Sequence, residues 1–129
     1  MRSLLLIAAG GAIGALMRHL VSVLVYRLVP STFPWGTLAA NLTGCFFIGA
    51  LWTFSERASF PPGLALFLFT GMIGAFTTFS TYALESLQLM QRGQVWSGLA
   101  NIAVSTIAGL LLVFAGMART RSLLRVVTT

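Results

Sequence analysis

The chain has 129 residues, 57% of them hydrophobic, and its ten charged groups are eight arginines and two glutamates. Soluble domains carry about a quarter of their residues as charge; a chain with 8% lacks the polar surface to stay in water and is expected in a lipid bilayer. The net charge of +6 does not imply nucleic acid, because the arginines lie singly and not on one face, and the lone Cys45 excludes a disulfide framework within the chain.

Crossing a bilayer as a helix takes about 20 apolar residues. The first candidate span covers about residues 3–28 and is interrupted by Arg18 and His19. Residues 1–12 look like a secretory signal, with a basic start, an apolar run and small residues. The apolar pattern continues past Gly14, so the segment is expected to be kept as a span. Arg18 lies fifteen residues past Ser3, deep enough to sit in a water-filled vestibule and attract anions. His19 is expected at the interface. Gly10 and Gly14 form a GxxxG spacing, suited to close helix contact.

The second span, about 35–54, has no charge. Thr37 and Asn41 are four residues apart and share a helical face, with Gly44 and Cys45 beyond them. An asparagine side chain offers two N–H donors, which suit an anion, and one carbonyl, which suits a cation. The plainer alternative is a hydrogen bond between helices, worth about 0.6 to 2 kcal/mol.

The third span, about 63–84, ends at Glu85 and is the most informative part of the chain. From residue 70 to residue 82 it holds six hydroxyls, two phenylalanines and two glycines. Clustered hydroxyls and loosened backbone are tolerated in hydrocarbon only where protein or a water-lined cavity satisfies them. Gly71, Gly74, Thr77 and Thr78 are weak helix formers. A helix broken near residues 74–78 would free backbone carbonyls, which can coordinate alkali cations. Phe76, Phe79 and Tyr82 follow at spacings of three. Ring edges carry positive charge, so they could meet an anion in a narrow pore without a charged ligand. Ordinary aromatic packing is the alternative.

The fourth span, about 95–118, repeats the polar spacing with Asn101 and Ser105, and Thr106 lies just off that face. Hydroxyls on a helix often bond back to their own backbone. Trp35, Trp52 and Trp96 fall near span ends, as an aromatic belt requires.

The linkers are residues 30–34, 56–62 and 91–94. They are too short for a soluble domain, so residues 1–129 read as one four-helix membrane domain with neighbouring helices antiparallel. One side of the membrane holds Arg2, Arg57, Arg119, Arg121 and Arg125, and the other holds Arg27 and Arg92. Without the C-terminal tail the count is two against two, a weak orientation signal that lets either orientation insert. A single copy would expose its polar third span to lipid, so an oligomer is expected. The expected fold is all-α integral membrane, with four helices per subunit. Among these residues no nucleophile and base can be paired and no metal-spaced cluster of His and Cys occurs, so no enzyme is expected.

Three motifs carry a resemblance to a known family. GGAIGALMRHL at residues 10–20, FPWGTLAANLTG at 33–44 and GAFTTFSTYALE at 74–85 resemble, in order, those of the Fluc (CrcB) fluoride channel family. The resemblance extends over the whole chain in length, span number and motif order. It implies a dual-topology homodimer of antiparallel subunits with two pores in the inner cell membrane. Such channels passively export fluoride, which accumulates in cells at acidic external pH. By the resemblance Asn41 lines the pore, so Thr37 on the same face is expected to line it too, and Phe79 is the first of two pore phenylalanines. Ser80 offers a hydroxyl to the ion. Gly74 and Thr77 give backbone carbonyls to a structural Na+ at the dimer centre. Arg18 matches the first-helix arginine, Glu85 the third-helix acid, and Ser105 a polar position of the fourth helix. Tyr82 departs from the usual second phenylalanine, and Asn101 stands where some members have a polar aromatic. Two other readings remain: a small multidrug-type proton antiporter, which needs a membrane-buried carboxylate that the first span lacks, and a non-conducting membrane assembly subunit.

Overall fold

The computed structural model describes residues 1–127. It is all-helical, and four of its helical stretches are long and apolar enough to cross a membrane: Arg2–Leu28, Trp35–Ala58, Pro62–Gln91 and Val95–Val126. The first two are α1 (Arg2–Leu28) and α2 (Trp35–Ala58). The third stretch is composite. A short α3 (Pro62–Ala65) leads into a π-helical segment (Leu66–Ile73), one turn of α4 (Gly74–Phe76), and then α5 (Phe79–Gln91). The last helix is α6 (Val95–Val127).

The helices outrun the apolar stretches that the sequence marks. The second runs on to Ala58, the third to Gln91 and the fourth to Val127. Hydropathy marks where lipid ends, whereas a helix continues until its backbone is capped. The caps are visible. Ser59 takes a left-handed conformation after α2, and the Pro61-Pro62 pair then starts the next helix, with proline in its first turn. After α5, Gly93 adopts φ +80°, donating its N–H to the Met90 carbonyl at 3.0 Å while Gln94 donates to Leu89 at 2.9 Å. That pair of bonds closes the helix in a conformation that glycine adopts without strain.

Small residues decide which helices touch. A Cβ on Gly49 would strike the Val113 carbonyl of α6, and one on Gly116 would strike the Phe46 carbonyl of α2. A Cβ on Gly109 would meet Cys45 Sγ at 3.3 Å. Residue numbers rise together along this seam, so α2 and α6 run parallel at near backbone contact. Gly10 and Gly14 make the same kind of seam between α1 and the third span, against Phe67, Gly71 and Met72. The GxxxG pair is thus used within the chain. Large apolar side chains point the other way: Leu16, Leu110 and Phe114 are each more than 60% exposed. Small residues inside and large apolar ones outside is the pattern of helices packed in lipid.

Candidate functional site

The site is built where the third span changes backbone geometry. Thr77 has φ −85° and ψ 157°, and Thr78 has φ −148° and ψ 115°, both extended. Polar backbone groups in such a stretch need partners from outside the helix. Asn41 of α2 supplies two. Its Nδ2 donates to the Thr78 carbonyl at 3.1 Å, and its Oδ1 accepts the Thr78 N–H at 2.7 Å. The side-chain amide pairs with the peptide as a neighbouring β-strand would. Only this orientation of the amide satisfies both bonds. Thr78 then caps α5, its Oγ1 accepting the Thr81 N–H at 3.3 Å and donating to Thr81 Oγ1 at 3.0 Å. Thr77 Oγ1 bonds back to the Ile73 carbonyl at 3.1 Å.

This clamp is the hydrogen bond between helices that stood as the plainer alternative for Asn41. One N–H and the carbonyl are committed to Thr78, which leaves one N–H.

Beside the clamp lies an open groove of about 340 Å³. α2 contributes Asn41, Gly44 and Cys45, the third span Thr77, Thr78, Phe79 and Tyr82, and α6 Ser105 and Thr106. These residues lie near the middle of their respective spans, so the groove sits near the bilayer midplane. The Phe79 and Tyr82 rings contact each other, with centroids 5.4 Å apart and planes inclined at 56°. Phe79 is 79% exposed in the single chain. Ser105 Oγ approaches Asn101 Oδ1 at 3.5 Å. Asn101 is itself buried and donates to Ser86 Oγ at 2.9 Å, and Ser86 donates to the Tyr82 carbonyl at 2.8 Å. A chain of polar contacts thus ties α6 to the groove wall.

The structure therefore gathers Asn41, Thr77, Phe79, Tyr82 and Ser105 of the residues singled out in the sequence. The others lie elsewhere. Ser80 is exposed, with its hydroxyl 3.5 Å from Thr78 Oγ1, and is not part of the groove lining. Thr37 is buried and donates to Glu85 Oε1 at 2.9 Å. Glu85 borders a separate polar cleft of about 260 Å³ with Tyr26, Gln88 and Arg92. Arg18 is half-buried on α1 and lines neither the groove nor the cleft. The role of Thr78 was not foreseen from the sequence. Its signal was present in the weak helix propensity of residues 77 and 78, but the partner on α2 was not readable. The π-helical segment left no such signal in the sequence, although such segments are frequent at functional sites.

Gly74 and Thr77 can be tested for cation binding on backbone geometry. In a continuing α-helix the Thr78 N–H would donate to the Gly74 carbonyl, but here it goes to Asn41. The extended ψ of Thr77 turns its own carbonyl out of the helical direction. Neutral carbonyl oxygens are a donor set that suits a hard monovalent cation. Among the described residues no group of three or more His, Cys, Asp and Glu side chains could hold a metal instead.

Residues 5–117 match the family described as CrcB-like protein, Camphor Resistance (CrcB). The chain belongs to this family. It is 57% identical over 116 residues to a protein of Salinibacter ruber named fluoride-specific ion channel FluC, covering 90% of this chain and 87% of that one. A protein of Rhizobium meliloti with the same name is 42% identical over 124 residues, covering 95% and 99%. A third, from Rhizobium etli, is 45% identical over 122 residues, covering 92% and 96%. These relatives are named as channels and not as enzymes. Four spanning helices and membership of this family make the chain a multi-pass membrane protein.

Proposed function

We propose that this chain is a fluoride-specific channel that lets fluoride leave the cytoplasm passively and so lowers its toxicity. The observation that carries the reading is the midplane groove, which sets hydroxyls, an amide N–H and two aromatic rings together with no charged side chain. The relatives' shared name supports the choice of ion.

A small anion in this groove would exchange part of its water for fixed donors. Asn41 has one N–H left after clamping Thr78. Ser105 and Thr106 offer hydroxyls from α6. Phe79 and Tyr82 offer ring edges, which carry positive charge without the strong hold of an ammonium group. Weak, distributed contacts favour conduction, because an ion must leave as readily as it enters. Ser80, next to Phe79, would add a hydroxyl where the path opens. Thr37, Glu85 and Arg18 would act outside the groove, at its approaches.

The groove is open on one side in a single chain. An antiparallel homodimer, inserted in both orientations in the inner cell membrane, would close it and make two such paths. The break in the third span would then bring Gly74 and Thr77 carbonyls of both copies near the dimer centre. Those carbonyls would hold a structural Na+, which supplies fixed positive potential. Arg119, Arg121 and Arg125 weight one side of the chain, so replacing all three with Gln leaves two arginines on each side. C-terminal tags on that variant should divide more evenly between the two faces of the membrane.

The deciding experiment uses purified protein in liposomes loaded with potassium fluoride, with a potassium ionophore and a fluoride electrode outside. Fluoride should leave rapidly, and chloride should not when loaded in its place. Equal release of both ions, or of neither, overturns the proposal. Efflux of a cationic dye driven by a pH gradient would instead support the antiporter reading.

A further inference from the structure

We infer that the groove between the start of α1 and the start of the third span binds an anionic phospholipid, in the leaflet that faces the N-terminal end of the chain. The inference rests on membrane placement alone and is independent of which ion the protein conducts.

α1 and the third span run side by side in the same direction. Gly10 lies against Phe67 and Gly71, and Gly14 against Met72 and Phe76, so residue numbers rise together. One turn before Gly10, a Cβ on Gly63 would meet Leu6 Cδ1 at 3.0 Å. Both spans therefore enter the bilayer from one face, and their first turns lie at the depth of lipid headgroups. There a groove of about 570 Å³ opens between them. It is bordered by Arg2, Ser3 and Leu6 of α1 and by Gly63, Leu64 and Phe67 of the third span.

The groove changes character with depth. Arg2 and Leu6 are four residues apart on one face of α1, which puts Leu6 about 6 Å deeper. Leu64 and Phe67 are one turn apart on the third span and share a face in the same way. The mouth of the groove thus offers a guanidinium and the Ser3 hydroxyl, and its floor is hydrocarbon. A phospholipid has the same order along its length, a phosphate above an acyl chain. The phosphate would sit at Arg2 and Ser3, with the chain along Leu6, Leu64 and Phe67.

Charge complementarity points to an anionic headgroup. Arg2 sits in the first turn of α1, where the helix dipole is positive and disfavours a cation. No acid in that turn offsets it. Among the described residues Arg2 makes no ion pair and no side-chain hydrogen bond. Of the two glutamates in the chain, Glu56 is the one at this face of the membrane. Its Oε1 accepts the Trp52 Nε1–H at 3.1 Å, and it does not border the groove. An arginine that only faced headgroups would need no apolar cleft beneath it. A phospholipid uses both.

The test is native mass spectrometry of the full chain in detergent, with phosphatidylglycerol and phosphatidylcholine added in equal amounts. The wild-type protein should retain phosphatidylglycerol preferentially. One arginine at a charged lipid surface is worth about fivefold in binding, so R2Q should reduce the preference by about fivefold. R57Q, at the same face but outside the groove, should keep it. L64W fills the groove from a position that is 41% exposed, and should weaken retention of phosphatidylglycerol without a change of charge. Excess glycerol 3-phosphate should not displace the lipid. No preference in the wild-type protein overturns the inference. So does an unchanged preference in R2Q, or an equal loss in R57Q, which would mark a general charge effect. Unchanged retention in L64W, or displacement by glycerol 3-phosphate, would mean an anion held without its acyl chain and overturns the phospholipid assignment. Arg2, Arg57 and Leu64 are all exposed, so the folded state of each variant should match the wild type by circular dichroism.

Discussion

Replacing Asn41 with alanine tests the central geometry. The substitution removes the donor to the Thr78 carbonyl at 3.1 Å and the acceptor of the Thr78 N–H at 2.7 Å. Thr78 is 8% exposed, so water does not readily replace either. A buried group left without its partner costs about 1 to 3 kcal/mol, and two such groups bound the loss at roughly 2 to 6 kcal/mol. Side-chain hydrogen bonds between membrane helices average only about 0.6 kcal/mol, because the separated helices find other partners. Thr78 has less choice. Its N–H can turn back to the Gly74 carbonyl only if the extended pair rewinds and moves the start of α5. We therefore expect the low end of the range, about 2 kcal/mol, for Asn41→Ala. Equilibrium unfolding in mixed micelles measures the total. Amide exchange at Thr78 measures the clamp itself and should rise about thirtyfold in Asn41→Ala, the equivalent of 2 kcal/mol. A loss below about 0.5 kcal/mol with unchanged exchange at Thr78 would refute the reasoning.

Phe79→Ile should leave folding almost unaltered, because the ring is 79% exposed in the single chain. Fluoride efflux from liposomes should fall by about tenfold or more, equivalent to ~1.4 kcal/mol; unchanged efflux would remove the ring from the ion path. Gly116→Ala pushes a methyl group into the Phe46 carbonyl across the α2–α6 seam, and overpacking of this kind costs about 1 to 3 kcal/mol in unfolding experiments. Ser86→Ala leaves the Asn101 amide, 1% exposed, without the acceptor it reaches at 2.9 Å. That should cost about 1 to 2 kcal/mol, and Asn101→Leu in the same background should recover part of it.

The polar residues show how far a sequence can be read. Thr37 and Asn41 share a helical face in the sequence pattern, yet they serve different partners. Thr37 turns to Glu85, 48 positions away, and Asn41 to Thr78, 37 positions away. Periodicity places a residue on a face but does not say which helix that face meets. Asn101 and Ser105 repeat the pattern, and here the interhelical bond dominates: Asn101 is buried on Ser86 and only Ser105 reaches the groove. Tyr82 borders the groove beside Phe79, which its spacing of three from Phe79 placed on the same side of the helix.

Composition, span length and motif order were enough to settle the medium, the four spans and the family. Apolar composition and span length follow from the cost of transferring charge and unpaired backbone into lipid, and that cost is summed over residues one at a time. The tertiary structure decided the pairings. It set α2 parallel to α6 through glycines that let two backbones touch. It gave the Thr78 peptide an asparagine from another helix. Both depend on groups distant in the chain meeting at hydrogen-bond or van der Waals distance, and no local pattern encodes that distance.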